Sequence, residues 1–325
     1  MALYLISCVG VEHDLPYLEH FLRYYKGLGI APGNFRVILQ TTDPDSPNLA
    51  KARDILIRHG VPGDLHWSAP YSSRTMWEER RRVQAEVAGP SDWVVSADVD
   101  ERHEYPAPLS EIVAWCEREG YDVIQGPFVD RLAAGGGLAK VPPPDGALDE
   151  TFPVQTELRH HIGGHTRNVN LGGSVNLMLI RGNVLPGIGG HSPHTKLKSS
   201  KFALGGPLWQ FKKLADARFL FTMPFLVHHY KWTDGLVERM RERLEHQEMS
   251  QAAREYTEKV VTFFDGPDAL RMERLATRDP ARDRPVDWQA KVRDMRRRYA
   301  LMRPMIDAKR AFRKVVRIGR KAIGK

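Results

Sequence analysis

The sequence predicts an α/β protein with a mixed, mainly parallel sheet, helices on its faces and a helical extension at its C-terminal end. Short apolar segments alternate with helix-patterned segments as far as residue 130, which is typical of βαβ units. The chain has 325 residues, of which 42 % are hydrophobic and 27 % charged. These values indicate a folded protein with a sizeable core.

The first half supplies five candidate strands, and the segments between them have apolar residues at helical spacing. The strands are predicted at 2–10, 35–42, 65–68, 92–100 and 121–130. Helices are predicted at 15–28, 48–59, 75–88 and 109–119, with glycine soon after most of them as a stop signal. In such sheets ligands bind beyond the carboxyl ends of the strands.

The second half is less regular. A Gly- and Pro-rich segment, 133–149, predicts a long loop, and strands are expected at 174–180 and within 219–232. One long charged helix is predicted from Leu236 to Phe264, followed by a polar linker at 279–290. We therefore divide the chain into a main domain at 1–235, a helical extension at 236–285 and a basic amphipathic tail at 286–325.

Cysteine content and the N-terminal segment bear on the compartment. The two cysteines, Cys8 and Cys116, form neither a close metal-type pair nor a disulfide framework. The start of the chain lacks a basic flank and predicts a buried strand, and no apolar run approaches the length of a membrane span. We expect a cytoplasmic protein, peripheral on the inner face of the cell membrane if the tail binds there.

The segment VVSADVDERHEYP carries the main functional prediction. In a strand, residues two apart face the same side, so Asp98 and Asp100 are expected to project together where the strand ends. Two carboxylates at one place suit Mg²⁺ or Mn²⁺, and such an ion would neutralise a diphosphate leaving group. The alternative is a solvated turn or a helix cap. Glu101 is expected either to tune the site or to pair with an arginine.

Several segments together resemble the bacterial family-two-like glycosyltransferases, in the subgroup whose metal strand carries Asp-x-Asp-Glu. They are VEHDLPYLEHFLRYYKGLGI, FRVILQTTD, DWVVSADVDERHEYP, IQGPFVDR and HHYKW. The resemblance extends over residues 1 to 245, and its most specific element is DVDE. The opening departs from the subgroup, because Val11-Glu12 stands where Asn-Glu is usual.

The resemblance implies a GT-A fold, a nucleotide-sugar donor, a divalent metal as cofactor and inversion at the sugar. It places Asp43 against the nucleotide base, Arg74 near the donor phosphates, and Asp98 in both donor binding and metal binding. It also implies that a late histidine completes the metal site with Asp100. His228 is the first candidate and His191 the second, and of two adjacent histidines only one can face the metal.

An inverting transfer needs a general base, and Asp130 at the end of the fifth strand is the candidate. Its alternative is a salt bridge or a loop cap, and Asp234 and Asp216 remain possible bases. Two other functions stay open. One is a phosphohydrolase of the haloacid dehalogenase type with Asp98 as nucleophile. The other is a non-enzymatic protein that binds a membrane surface.

The tail is strongly basic. Residues 291–325 contain fourteen Lys or Arg and two Asp, so the remainder of a chain with net charge +8 is slightly acidic. Phe312, Val315, Val316 and Ile323 can share one helical face, which predicts a helix on an anionic membrane surface. Nucleic-acid binding and a solvated tail are the alternatives. The partners we expect are a UDP-, GDP- or dTDP-sugar, a glycan or lipid-linked acceptor, and this membrane through residues 291–325, with no nucleic acid.

Overall fold

The computed structural model describes residues 1–159, 162, 174–195, 199–246, 251–265, 272–282 and 287–322. The strands of this described part are β1 (Leu3–Gly10), β2 (Phe35–Thr41), β3 (His66–Ser68), β4 (Trp93–Ser96), β5 (Glu101–Glu104), β6 (Val123–Leu132), β7 (Val154–Thr156), β8 (Val175–Arg181), β9 (Leu226–His229) and β10 (Thr277–Arg278). The helices are α1 (Leu15–Gly27), α2 (Pro47–Arg58), α3 (Ser73–Val87), α4 (Leu109–Glu119), α5 (Leu148–Thr151), α6 (Ala217–Leu220), α7 (Leu236–His246), α8 (Gln251–Asp265) and α9 (Trp288–Ala322).

These strands form one mixed sheet in the order β10-β7-β6-β8-β4-β1-β2-β3, with β9 pairing to β5 and β6. The half made by β4, β1, β2 and β3 is parallel throughout. Strand β8 lies between β4 and β6 and is antiparallel to both. This mixed α/β sheet, with helices on its faces and a C-terminal helix, confirms the predicted GT-A-type fold class.

Alternation along β1 explains how the sheet is covered on both faces. Leu5 and Val9 join the main core, which includes the buried residues of α1 and α2. Ile6 faces the other way, into a smaller cluster that includes Val94 and Leu177. Because both faces are buried, the parallel strands are apolar along most of their length, as the sequence pattern indicates.

Strand β6 passes very close to β9 at Gly126. A Cβ atom there would lie 2.8 Å from the carbonyl oxygen of Phe225 and 2.4 Å from Sδ of Met178. Glycine therefore permits this approach, which brings the ends of β6 and β9 side by side in parallel register.

The prediction of one continuous helix from Leu236 to Phe264 is wrong. The chain forms α7 and α8 instead, and Arg254 Nη2 donates to the carbonyl of Leu244, ten residues earlier, at 3.3 Å. Ten residues span about 15 Å of a straight helix, which exceeds the reach of an arginine, so the two helices fold back on each other. Their buried residues, among them Leu236 and Val260, pack beneath the end of β6.

Helix α9 begins against the main core, where Val292 and Met295 are buried. No helix in the described ranges is both long and apolar enough to cross a membrane. The predicted domain boundaries at 235 and 285 stay predictions.

Candidate active site

Strands β1, β2 and β4 run parallel, so their carboxyl ends meet at one edge of the sheet, where the predicted acidic residues lie. Strand β4 is shorter than predicted, because it ends at Ser96. Asp98 and Asp100 lie in the turn that leads to Glu101, the first residue of β5, and we call this turn the acidic turn. Alternation along a strand therefore does not orient the two carboxylates, and each has its own partner.

Asp98 is held by a buried arginine that the sequence analysis missed. Arg80 Nη1 donates to Asp98 Oδ1 at 2.5 Å, while Arg80 Nη2 donates to Ile6 O at 3.0 Å and Ala97 O at 3.1 Å. The guanidinium also lies 4.1 Å from the centroid of the Trp77 ring. Arg80 is 1 % exposed, so its charge is neutralised mainly by Asp98, whose side chain is 40 % exposed.

Arg74, the predicted phosphate contact, is exposed in the first turn of α3, and the structure brings Arg80 rather than Arg74 to Asp98. A sequence signal for Arg80 existed. It falls on the buried stripe of α3 together with Met76, Trp77 and Val83. A charged residue on an apolar stripe indicates a buried, paired charge.

Asp100 faces His229. Asp100 Oδ2 lies 3.6 Å from His229 Nε2, and His229 Nδ1 lies 3.0 Å from Asp130 Oδ1. The same Asp130 oxygen accepts a hydrogen bond from Trp232 Nε1 at 2.6 Å, and the other accepts one from the backbone N–H of Arg159. Asp130 thus fixes the tautomer in which Nδ1 carries a proton and Nε2 faces Asp100.

This geometry does not support Asp130 as the general base. Its side chain is fully buried, and both of its oxygens are engaged by His229, Trp232 and the Arg159 backbone. An acceptor hydroxyl could not reach it without displacing those donors. Asp130 contacts His229 instead, and its role as the general base stays a prediction. Of the other candidate bases, Asp216 caps α6, and Asp234 is exposed just before α7.

His228 points away from the acidic turn, because adjacent residues of β9 face opposite sides of the sheet. Its Nε2 lies 2.6 Å from Glu104 Oε2, and Arg278 Nη1 donates to the same oxygen at 3.0 Å. Burial raises the pKa of Glu104, but these hydrogen bonds outweigh burial and bring it to about 2. His229, rather than its neighbour His228, thus lies beside Asp100, and the metal-ligand role of His228 stays a prediction.

His191, the second choice, lies on the same side as His229 but is tied elsewhere. Its Nδ1 is 2.8 Å from the carbonyl of Val175, and its ring stands edge-on to Phe128 at 6.4 Å between centroids. Burial, with Arg159 nearby, lowers its pKa to about 4. His191 is thus a neutral imidazole in the wall of the site.

Glu101 is hydrogen-bonded to the acidic turn and to Asn176 of β8. Asn176 Nδ2 lies 2.9 Å from each of its oxygens, and the backbone N–H of Asp98 donates to Oε2 at 3.1 Å. Its hydrogen-bonded side-chain partner is thus an asparagine rather than an arginine. Burial, with the charge of Asp98, raises its pKa to about 8. Burial likewise raises the pKa of Asp100 to about 6, which the charge of His229 opposes.

Cationic side chains lie opposite the acidic turn, and the sequence analysis missed them as well. Burial, together with the charges of Arg159 and Arg243, lowers the pKa of Lys231 to about 7, although the charge of Asp100 acts in the opposite direction. Lys231 Nζ lies 5.2 Å from the centroid of the Tyr256 ring. Arg243 Nε and the Tyr256 hydroxyl are buried and have no hydrogen-bond partner among the described residues. Helix α7 thus contributes the Arg243 guanidinium and α8 the Tyr256 hydroxyl to this side of the site.

The ends of β2 and β3 form the remaining wall. Asp43, the predicted base contact, is exposed, and its Oδ1 accepts a hydrogen bond from Asp45 N at 2.9 Å. The ring centroids of Trp67 and Tyr71 lie 6.5 Å apart. Burial raises the pKa of Tyr71, and the charge of Asp98 adds to that rise. Glu12 accepts a hydrogen bond from Ser46 Oγ at 2.7 Å, which ties the β1 end to the loop before α2.

Within the described segments, no group of three or more His, Cys, Asp or Glu converges as a metal site. The arrangement offers two separate pairs, Arg80 with Asp98 and His229 with Asp100. The fold and this edge define a GT-A-type α/β protein with a polar site at its strand ends.

Comparisons with known proteins give low structural similarity to solved chains. No protein-family model matches the chain, and no curated protein matches it. Among solved structures it is similar to S. aureus TarS, with a TM-score of 0.32 and 12 % identity over 82 % of this chain and 44 % of that one. For TarS 1-349 the values are 0.33 and 11 %, over 81 % and 72 %. The chain thus spans less than half of the longer TarS chain. TM-scores this low carry no conclusion about what this chain does.

Proposed function

We propose that this chain is a glycosyltransferase that transfers a sugar from a nucleotide-sugar donor to a glycan, lipid-linked or other envelope acceptor. The observation that carries the proposal is the Asp130–His229–Asp100 arrangement at the strand ends of a GT-A-type sheet. A metal-ligating histidine commonly donates its other ring N–H to a carboxylate, as His229 Nδ1 does to Asp130. Positive charge from Lys231 and Arg243 lies opposite.

Different side chains are available for the base and for the diphosphate of the donor. The exposed ring of Tyr71, with Trp67 beside it, offers an aromatic surface for the base, and Asp43 stands at the neighbouring strand end. Arg243 supplies positive charge and an Nε–H without a hydrogen-bond partner in the described part of the chain for the diphosphate, and Lys231 lies near it. UDP, GDP and dTDP sugars all fit this chemistry.

We infer Mn²⁺ or Mg²⁺ as the cofactor, with Asp100 and His229 as its ligands, because carboxylates and imidazoles are donors that such ions accept. Two ligands bound to one ion at ~2.1 Å are roughly 3.0–3.6 Å apart for ordinary bond angles. Asp100 Oδ2 and His229 Nε2 are 3.6 Å apart, and Asp98, two residues before Asp100, is paired with Arg80. Such an ion would neutralise the charge that develops on the diphosphate leaving group. The protein groups hold the ligands: Asp130 fixes His229, and Glu101 fixes the turn.

The test is calorimetric titration of the whole chain with UDP, GDP and dTDP, with and without Mn²⁺. We expect one nucleotide to bind at least tenfold more tightly with Mn²⁺. His229→Gln should abolish that gain, whereas His228→Gln, its neighbour on the other face, should keep it. Thermal unfolding of both variants controls for folding. If no nucleoside diphosphate shows Mn²⁺-dependent binding, the proposal is wrong.

The phosphohydrolase alternative is tested in parallel. Release of phosphate from a phosphomonoester by the wild type, lost in Asp98→Asn, would replace the glycosyltransferase proposal. The 2.5 Å contact between Arg80 and Asp98 makes Asp98 a poor nucleophile, because a guanidinium stabilises the carboxylate that would have to attack.

A further inference from the structure

Two large apolar side chains of α9 are exposed beyond the start of the helix. The helix is attached to the main core through Val292 and Met295. Beyond that attachment, Leu301 is 75 % exposed and Met305 51 % exposed. They are one helical turn apart, so the two side chains lie on the same side of the helix.

The sequence continues this spacing to the end of the helix. Successive residues are about 100° apart around an α-helix, so positions 301, 305, 308, 312, 315, 316 and 319 fall within about 60° of one line. They are occupied by Leu301, Met305, Ala308, Phe312, Val315, Val316 and Gly319. We call these seven residues the α9 stripe.

Positive charge occupies the other side. Residues 301–325 contain nine Lys or Arg and a single acidic residue, Asp307. Asp307 lies 3.7 Å from Arg303, so an arginine on the polar side neutralises it. The basic positions centred opposite the stripe are Arg310, Arg313, Arg317 and Lys321. The sequence pattern of the helix is therefore amphipathic, with one apolar line and an opposite side that is basic except for Ile306.

We propose that α9 lies flat on an anionic lipid surface, with the α9 stripe at the boundary between headgroups and acyl chains and the basic face among anionic headgroups. Residues 301–322 are helical and extend over about 33 Å, parallel to the membrane in this arrangement. Charge complementarity selects anionic over neutral lipid. A nucleic acid would use the basic face alone and leave the exposed stripe in water. A second copy of the chain would bring two cationic faces together.

The test is co-sedimentation of the full chain with vesicles of phosphatidylcholine alone and with roughly a third phosphatidylserine. We expect at least tenfold tighter binding to the anionic vesicles, and weaker binding as salt is raised. Leu301→Glu should weaken binding about tenfold, because it removes one buried apolar side chain and adds a repelled charge. Ile57→Glu is the matched control, since Ile57 on α2 is 66 % exposed and should leave binding unchanged.

Charge is tested separately with Arg313→Glu plus Arg317→Glu, which should weaken binding to anionic vesicles at least tenfold. Equal binding to neutral vesicles, or equal losses in Leu301→Glu and Ile57→Glu, would overturn the proposal. So would tighter binding to duplex DNA that is insensitive to Leu301→Glu. A dimer that Leu301→Glu dissociates would show that a second copy covers the stripe. None of these results depends on nucleotide binding.

Discussion

The Asp130→Asn variant distinguishes a positioning role from a general-base role for Asp130, the most buried carboxylate of the site. Its oxygens accept hydrogen bonds from His229 Nδ1 at 3.0 Å, from Trp232 Nε1 at 2.6 Å and from the Arg159 backbone. An amide has a single acceptor oxygen, so at least one of the three donors then faces an N–H₂ group. One buried unsatisfied donor costs about 1–3 kcal/mol of unfolding free energy.

Asp130→Asn should weaken cation binding by more than a loss of folding stability alone would. If His229 loses its orienting partner, its Nε2 is no longer held toward Asp100, and changes of this kind typically cost 10–100-fold in metal affinity. We therefore expect Asp130→Asn to weaken Mn²⁺ binding roughly 10–100-fold, measured by calorimetry with saturating nucleoside diphosphate. Urea unfolding followed by tryptophan fluorescence measures the stability term.

Glu104→Gln is the matched control. Glu104 contacts His228 at 2.6 Å and Arg278, on the other face of β9. It should lower stability comparably and leave Mn²⁺ affinity unchanged. If Asp130→Asn binds Mn²⁺ and nucleotide like the wild type but loses turnover, the positioning role is refuted and the base role predicted from sequence is restored.

Three further predictions concern stability. Arg80→Lys keeps a charge but loses the planar group whose Nη2 donates to three acceptors, so chemical denaturation should show a loss of about 2–4 kcal/mol. The pKa of Glu101 is raised from its ordinary 4.5 to about 8, so without divalent cation the folded state binds this proton more tightly than the unfolded chain does. The free energy of unfolding should therefore fall as pH rises from about 4.5 to about 8, by roughly 3–5 kcal/mol, and Glu101→Gln should flatten that fall. Gly206→Ala would place a Cβ 2.1 Å from the Tyr299 ring and should cost about 1–3 kcal/mol by thermal unfolding, whereas Gly137→Ala, with nothing within 4 Å, should be neutral.

The parallel half of the sheet was predictable because its signals are local. Strands β1, β2 and β4 are apolar runs, and the helices between them have an apolar stripe and a stop, all within a few residues. The antiparallel insertion of β8 between β4 and β6 was not predictable, because strand pairing is a property of distant segments.

The break between α7 and α8 was missed for a different reason. Charged residues that suit a helix continue through the whole predicted span from Leu236 to Phe264, so periodicity alone shows no end at His246. Packing of Leu236 and Val260 in one hydrophobic cluster stabilises the folded-back arrangement of α7 and α8. The residue pattern of a single helix does not indicate that stabilisation.

The adjacent histidines show most clearly what a pattern leaves open. Alternation requires that His228 and His229 face opposite sides, which the sequence analysis recognised. Which one faces the acidic turn depends on register, and the register pairs Glu101 and Asp130 with His229. A shift of one residue would exchange the two histidines.

The sequence by itself determined the parallel β4-β1-β2-β3 half, the place of the acidic turn at its edge and the amphipathic character of the tail. Each follows from residues near one another in the chain. Only the tertiary structure decided the partners of the charged groups: Arg80 for Asp98, His229 for Asp100 and Asp130 for His229, the last across 99 positions. A buried charge must find an opposite charge or a hydrogen-bond partner, and which partner it finds depends on how distant strands and helices pack.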